Sequence, residues 1–158
     1  MGLGVWSMHF IGMHAYRLDF SVSHAPLSTM LSIIPAILGS LCAMAVISRE
    51  NPSHRALVIA GLGLGIGIGT MHYSGMAAMR MPAELYHALD LFLLSLLVAV
   101  GLGIVSVYAY RLCQLEWGMR RARTCAFIAA LCVSVAVCGM HYVAMQAAWF
   151  LPASAMNT

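Results

Sequence analysis

Three stretches of the chain set a histidine among methionines at one common spacing: Met8-His9-Phe10-Ile11-Gly12-Met13, Met71-His72-Tyr73-Ser74-Gly75-Met76 and Met140-His141-Tyr142-Val143-Ala144-Met145. On a helix, residues four apart share a face. His9 with Met13, His72 with Met76 and His141 with Met145 therefore each make a vertical pair of imidazole and thioether. Met79 would carry the second pair one turn further. Met8, Met71 and Met140 lie about 100° round from their histidines, where they either complete a site shared between helices or pack against the next helix.

Imidazole and thioether together suit copper, Cu(I) above all, and serve oxygen-seeking ions such as Mg or Ca poorly. Zinc accepts histidine but has little use for methionine. Haem is the competing cofactor, because histidine and methionine are both axial ligands. Small residues around the motifs leave little room for a porphyrin. Without any metal, the same residues would be polar clamps between helices.

Two neighbours extend the candidate set. His14 lies about 140° from His9, either as a further ligand or as an interfacial group. Cys138 shares the face of His141, either as a soft ligand or as an inert small residue. His24, His54 and His87 are expected in loops, as are the acids Asp19, Glu50, Glu84, Asp90 and Glu116 or at span ends, where no two form a proton relay. No phosphate loop, nucleophile elbow or HExxH is present, so no enzyme is expected.

The elements that must hold these residues are membrane helices. Of 158 residues 62% are hydrophobic and 8% charged, with a mean hydropathy of +0.89, against roughly a quarter charged in soluble domains. The fold expected is an all-α polytopic transmembrane bundle of one domain, residues 1–158. Its apolar runs lie at about 2–16, 30–48, 56–79, 91–110 and 124–150. The first looks short, as if part of a span lay upstream. No stretch reads as a strand. Five cysteines without a CxxC pair indicate neither a disulfide framework nor a zinc knuckle. Eight arginines and no lysine, at a net charge of +3, are too few and too scattered for nucleic acid.

Arginine distribution orients the spans. Arg49 and Arg55 share one loop and Arg111, Arg120, Arg121 and Arg123 another, whereas the alternate loops hold Arg17 and Arg80 beside Asp19, Glu84 and Asp90. The positive-inside rule makes the first two loops cytoplasmic. The three motifs then all fall at the outer face, at the C-terminal ends of spans one, three and five. Turns are expected at Pro26, Asn51-Pro52 and Pro82. Aromatic belts are expected from Tyr16, Tyr73, Tyr86, Tyr142 and Trp149 outside and from Tyr108, Tyr110 and Trp117 inside.

The repeat is wider than the motif, since Gly2-Leu3-Gly4-Val5 precedes the first copy as Gly65-Ile66-Gly67-Ile68 precedes the second, at an offset of 63. Gly61, Gly65 and Gly69 recur every fourth residue, as do Gly63 and Gly67, and make flat strips for helix packing.

Residues 2–13, Gly-Leu-Gly-Val-Trp-Ser-Met-His-Phe-Ile-Gly-Met, and 71–81, Met-His-Tyr-Ser-Gly-Met-Ala-Ala-Met-Arg-Met, resemble the MHYT domain. The resemblance covers essentially the whole chain and departs from the four-letter motif at Phe10 and, in the fourth position, at Ile11, Ser74 and Val143. It implies a sensory module of the bacterial cytoplasmic (inner) membrane, often joined to cytoplasmic diguanylate cyclase (GGDEF) or phosphodiesterase (EAL) output domains. It further implies copper held by the motifs for sensing a diatomic gas, oxygen, CO or NO. The family module has six spans with motifs on alternate ones, so the first span and any output domain are expected to be absent here.

The leading expectation is thus a copper-binding membrane sensor of a diatomic gas or of redox state. The alternatives are a copper-handling transporter and a structural membrane module without metal. A transporter needs soft ligands at several depths, and the inner half offers only Cys42 and Met44. The partners expected are the lipid bilayer, a small gas and, in full-length relatives, the output domain; the oligomeric state is open.

Overall fold

The architecture follows from where the chain can start and stop a helix. The computed structural model describes residues 1–15, 23–80, 83–117 and 122–152. In chain order the elements are α1 (Gly2–Ala15), β1 (Ser23–His24), α2 (Pro26–Leu31), α3 (Ile33–Ile47), α4 (His54–Ala77), β2 (Met79–Arg80), β3 (Ala83–His87), α5 (Leu89–Trp117), α6 (Ala122–Ala147) and β4 (Ala148–Pro152).

Pro26 occupies the first turn of α2, where a missing N–H costs nothing. A single turn at Ser32 separates α2 from α3, and the two cross as one apolar rod from Pro26 to Ile47. Ser53 caps α4, its hydroxyl accepting from the Ala56 N–H at 3.2 Å. That cap starts the helix at His54, so His54 is helical rather than a loop residue; its ring stacks on Tyr108. Four rods are long and apolar enough to cross a membrane. With 14 residues, α1 spans about 21 Å at 1.5 Å per residue, less than a bilayer's hydrocarbon core.

The molecule is an all-α membrane bundle. Leu97, Phe127 and Ile66 point outward at 68%, 70% and 56% exposure, while Ser32, Ser95, Ser106 and three histidines are buried. Apolar outside and polar within is the distribution that a hydrocarbon solvent favours. The main core joins Leu64, Ile68 and Met71 of α4 to Val5 of α1, Ala36 and Ala43 of α3, Ala99 and Val107 of α5 and Met140 of α6.

Helix α4 is the axis of the bundle because both of its glycine strips are used. A Cβ on Gly65 would meet the Val100 backbone at 2.5 Å, and one on Gly69 the Leu96 side chain at 2.8 Å. On the other strip, a Cβ on Gly67 would fall 2.6 Å from the Pro35 carbonyl. Antiparallel neighbours α5 and α3 therefore lie backbone against backbone on α4.

Three further expectations are corrected. Strands do occur, as two antiparallel ladders: β1 with β2 through Ser23–Arg80 and His24–Met79, and β3 with β4 from Ala83–Pro152 to His87–Ala148. Pairing with a distant segment, and no local alternation, makes these strands. Helix α5 outruns its apolar stretch to Trp117; Arg111 is satisfied there by donating to the Glu50 carbonyl at 2.7 Å. Finally, Cys113 and Cys125 are joined in a disulfide, the antiparallel α5–α6 hairpin bringing their Cα atoms to 5.4 Å, within the range a bridge requires.

The turn expected at Pro82 and the residues Tyr16, Arg17, Asp19, Arg120 and Arg121 lie outside the described residues, as do the side chains of His24, Glu84, Tyr86, His87, Glu116, Trp117 and Trp149.

Candidate metal centre

Each motif histidine occupies the last two turns of its helix, His9 on α1, His72 on α4 and His141 on α6. The three helices run the same way, and hydrogen bonds at the ends of two of them join each to another helix: the Ala25 N–H before α2 donates to the Ala78 carbonyl after α4, and the Ala88 N–H before α5 to the Ala147 carbonyl of α6, both at 2.9 Å. Three histidines at one depth on parallel helices then need only face inward to meet.

They do meet. His72 Nδ1 lies 3.1 Å from His9 Nδ1 and 3.4 Å from His141 Nδ1. The rings stand nearly perpendicular to one another, at 79°, 80° and 83°. Exposure is 1% for His9 and His72 and 6% for His141. Among the described residues this is the one cluster of histidine, cysteine or carboxylate groups able to hold a metal ion, with ligand atoms all within 4.8 Å of one another.

The donor set fits a cation. An unprotonated Nδ1 has one in-plane lone pair, so His72 Nδ1 cannot accept well from both neighbours at once. A single ion satisfies all three nitrogens together. Three imidazole nitrogens bound at 2.0–2.1 Å to one ion stand roughly 3.3–3.6 Å apart, close to the two separations found.

Two glycines make the approach possible. A Cβ on Gly75 would sit 2.6 Å from His9 Nε2, and one on Gly12 would sit 3.1 Å from His141 Nε2. In the first two copies the glycine three places after the histidine thus accommodates the imidazole of another motif helix. Ala144, at 1% exposure, holds the same place in the third copy. Sequence reasoning passed over this position. The available signal was Gly, Gly, Ala in register with the histidines.

The methionines divide into two sets. Met13, Met76 and Met145 form a buried cluster of their own, against which Met79 and Ala148 pack. Met71 and Met140 belong instead to the main core, with Met8 packed on it. Met79 reaches the methionine cluster from β2, because α4 ends at Ala77 and provides no further turn.

The remaining candidates lie elsewhere. His14 is exposed, its Nδ1 3.1 Å from the Phe10 carbonyl. Cys138 is an exposed free thiol. It lines a lateral apolar cavity of about 500 Å³ that runs from Met8, beside His9, to Tyr110 and Ala126. The aromatic letter does a different job in each copy. Phe10 packs on Trp6 with ring centroids 4.8 Å apart, and Tyr142 faces outward at 72% exposure. Tyr73 is half-buried, its hydroxyl 2.6 Å from Ser95 Oγ, and stands inside the bundle rather than in a belt.

Comparison with known proteins gives one consistent picture. The family model MHYT, described as a bacterial signalling protein N-terminal repeat, matches residues 2–60 and 65–124. The chain is 37% identical over 151 residues to the bifunctional diguanylate cyclase/cyclic di-GMP phosphodiesterase MucR of Pseudomonas aeruginosa, covering 95% of this chain and 22% of that protein. It is 33% identical to the cyclic di-GMP phosphodiesterase NbdA of the same organism, covering 93% and 19%. With the signaling protein YkoW of Bacillus subtilis the identity is 28%, covering 95% and 19%. The chain therefore spans about a fifth of the length of these relatives. No solved structure matches it.

Proposed function

Given that the chain belongs to the MHYT family of bacterial signalling proteins, we propose that it is a membrane sensory domain that holds copper on His9, His72 and His141. The convergence of three buried Nδ1 atoms from three helices carries this reading. Met13, Met76 and Met145, one turn along from the histidines, supply the thioethers that favour Cu(I) over zinc. A haem fits less well, because nitrogens this close to one another leave no slot for a macrocycle.

When bound, copper supplies a redox-active centre that a diatomic molecule can ligate. The protein's own residues hold the ligand set rigid and dry: Gly12 and Gly75 admit the rings, and the methionine cluster covers one side. The apolar cavity lined by Met8, Val137 and Cys138 offers a small apolar gas such as oxygen, CO or NO room within the bundle. Under the positive-inside rule the arginine-bearing ends of α3, α4, α5 and α6 are cytoplasmic, and the copper site lies at the outer face of the inner membrane. The cyclase and phosphodiesterase activities named for MucR and NbdA belong to whole proteins. In our reading this chain is non-enzymatic and supplies the signal to such an output domain.

Transport is the weaker reading. Among the described residues no second cluster of histidine, cysteine or carboxylate lies at another depth to pass an ion on.

Metal analysis of the purified chain tests the proposal. The expected result is copper on the order of one ion per chain, lost in a variant with alanine at His9, His72 and His141. Equal, negligible copper in both proteins overturns it.

A further inference from the structure

We infer that the Cys113–Cys125 pair is a reversible redox modification site, a disulfide that opens and closes on the cytoplasmic side of the membrane. The inference rests on the orientation given above and goes beyond the copper site, which lies at the opposite end of α6.

Two observations conflict unless the bond is reversible. The first is charge: Arg111 stands two residues before Cys113 and Arg123 two residues before Cys125, at the same end of the bundle as Arg49 and Arg55. The positive-inside rule puts that end in the cytoplasm. The second is the bridge itself, between cysteines at 9% and 0% exposure. Thiols in the cytoplasm are kept reduced, and disulfides that form there are characteristically transient, catalytic or redox-sensing. A bridge in a reducing compartment is therefore one that forms when an oxidant arrives and is later removed.

The surroundings suit such a cycle. Helices α5 and α6 pack along their length, with Gly139 of α6 facing Val98 and Leu102 of α5, so the hairpin has packing contacts besides the bridge. Cys113 is the more exposed of the two, at 9% against 0%, so it is the one that a small oxidant reaches first. Tyr110 and Ala126, close to the two cysteines in sequence, line the lateral cavity. Because α6 is continuous from Cys125 to His141, the bridge and the histidine cluster share one rigid element.

The chemistry balances with a hydroperoxide as oxidant. The thiolate of one cysteine attacks the peroxide oxygen of H2O2, giving a sulfenic acid and releasing one water after proton transfer. The thiol of the other displaces the sulfenic oxygen as a second water, forming the S–S bond. Two thiols are oxidised by two electrons and one H2O2 is reduced to two waters. A dithiol reductant reverses the step by exchange, leaving as its own disulfide.

The test counts free thiols in living cells expressing the full chain with serine at Cys42, Cys132 and Cys138, the three free cysteines. Cells are quenched in acid, the protein is denatured, and thiols are tagged with a maleimide-polyethylene glycol that shifts the band on a gel. Two tags in unstressed cells, none after a pulse of H2O2 and two again on recovery is the expected result. A further Cys113→Ser change should leave one tag throughout. Two tags throughout the pulse overturn the inference and leave the orientation standing. No tags in unstressed cells, with two appearing after a membrane-impermeant reductant is added outside, means a permanent bridge on the oxidising side and overturns the orientation as well.

Discussion

Gly75 of α4 lies against the imidazole of His9 on α1, so closely that a Cβ would stand 2.6 Å from Nε2. The alanine variant must therefore push the ring away from His72. Gly75→Ala is expected to lower copper content several-fold and to destabilise the fold by about 1–3 kcal/mol, the usual cost of overpacking. Gly12→Ala, at 3.1 Å from His141, should have the same sign and a smaller size. Metal analysis and thermal unfolding in detergent check both.

Replacing Met13, Met76 and Met145 together by leucine separates ligation from packing. Met and Leu are close in volume, and each swap should cost less than about 1.5 kcal/mol. Losing three thioethers should weaken Cu(I) binding about tenfold or more while zinc binding changes little. Competition against a Cu(I) chelator measures the first, and an unchanged Cu(I) affinity would mean that this buried cluster is packing alone.

Tyr73→Phe should act on stability without touching the metal. Its hydroxyl is bonded to Ser95 Oγ at 2.6 Å, and a lost hydrogen bond of this kind costs about 1 kcal/mol. Copper per chain should equal that of the unmodified protein. The first motif already carries phenylalanine, Phe10, at the corresponding place.

Gly65→Ala and Gly101→Ala form a matched pair in adjacent helices. A Cβ at residue 65 meets the Val100 backbone at 2.5 Å, whereas residue 101 has nothing within 4 Å. The first should separate α4 from α5 and destabilise by more than about 3 kcal/mol, since backbone cannot move aside as a side chain can. The second should be neutral, or stabilise by up to about 1 kcal/mol through helix propensity. Thermal unfolding of the two variants in one detergent decides between these signs.

By itself the sequence determined the solvent, the long helices and the placement of the motifs at matching helix ends. Low charge and long apolar runs leave only a membrane bundle, and the C-terminal placement of His9, His72 and His141 puts them at one end of it. The four-residue glycine period likewise foretold close packing on α4. Helical periodicity reports the angle of a residue on its own helix and nothing of how that helix is turned toward others. Periodicity put Met13, Met76 and Met145 on the histidine faces and Met8, Met71 and Met140 about 100° round, and only tertiary packing put the second set at the core and gathered the first into its own cluster. The roles of Gly12 and Gly75 depend on which imidazole arrives from another helix, that of His141 or His9, far away in the chain. The ladders and the Cys113–Cys125 bridge were hidden for the same reason: each is a pairing of separated segments, set by where helices end and how their ends meet.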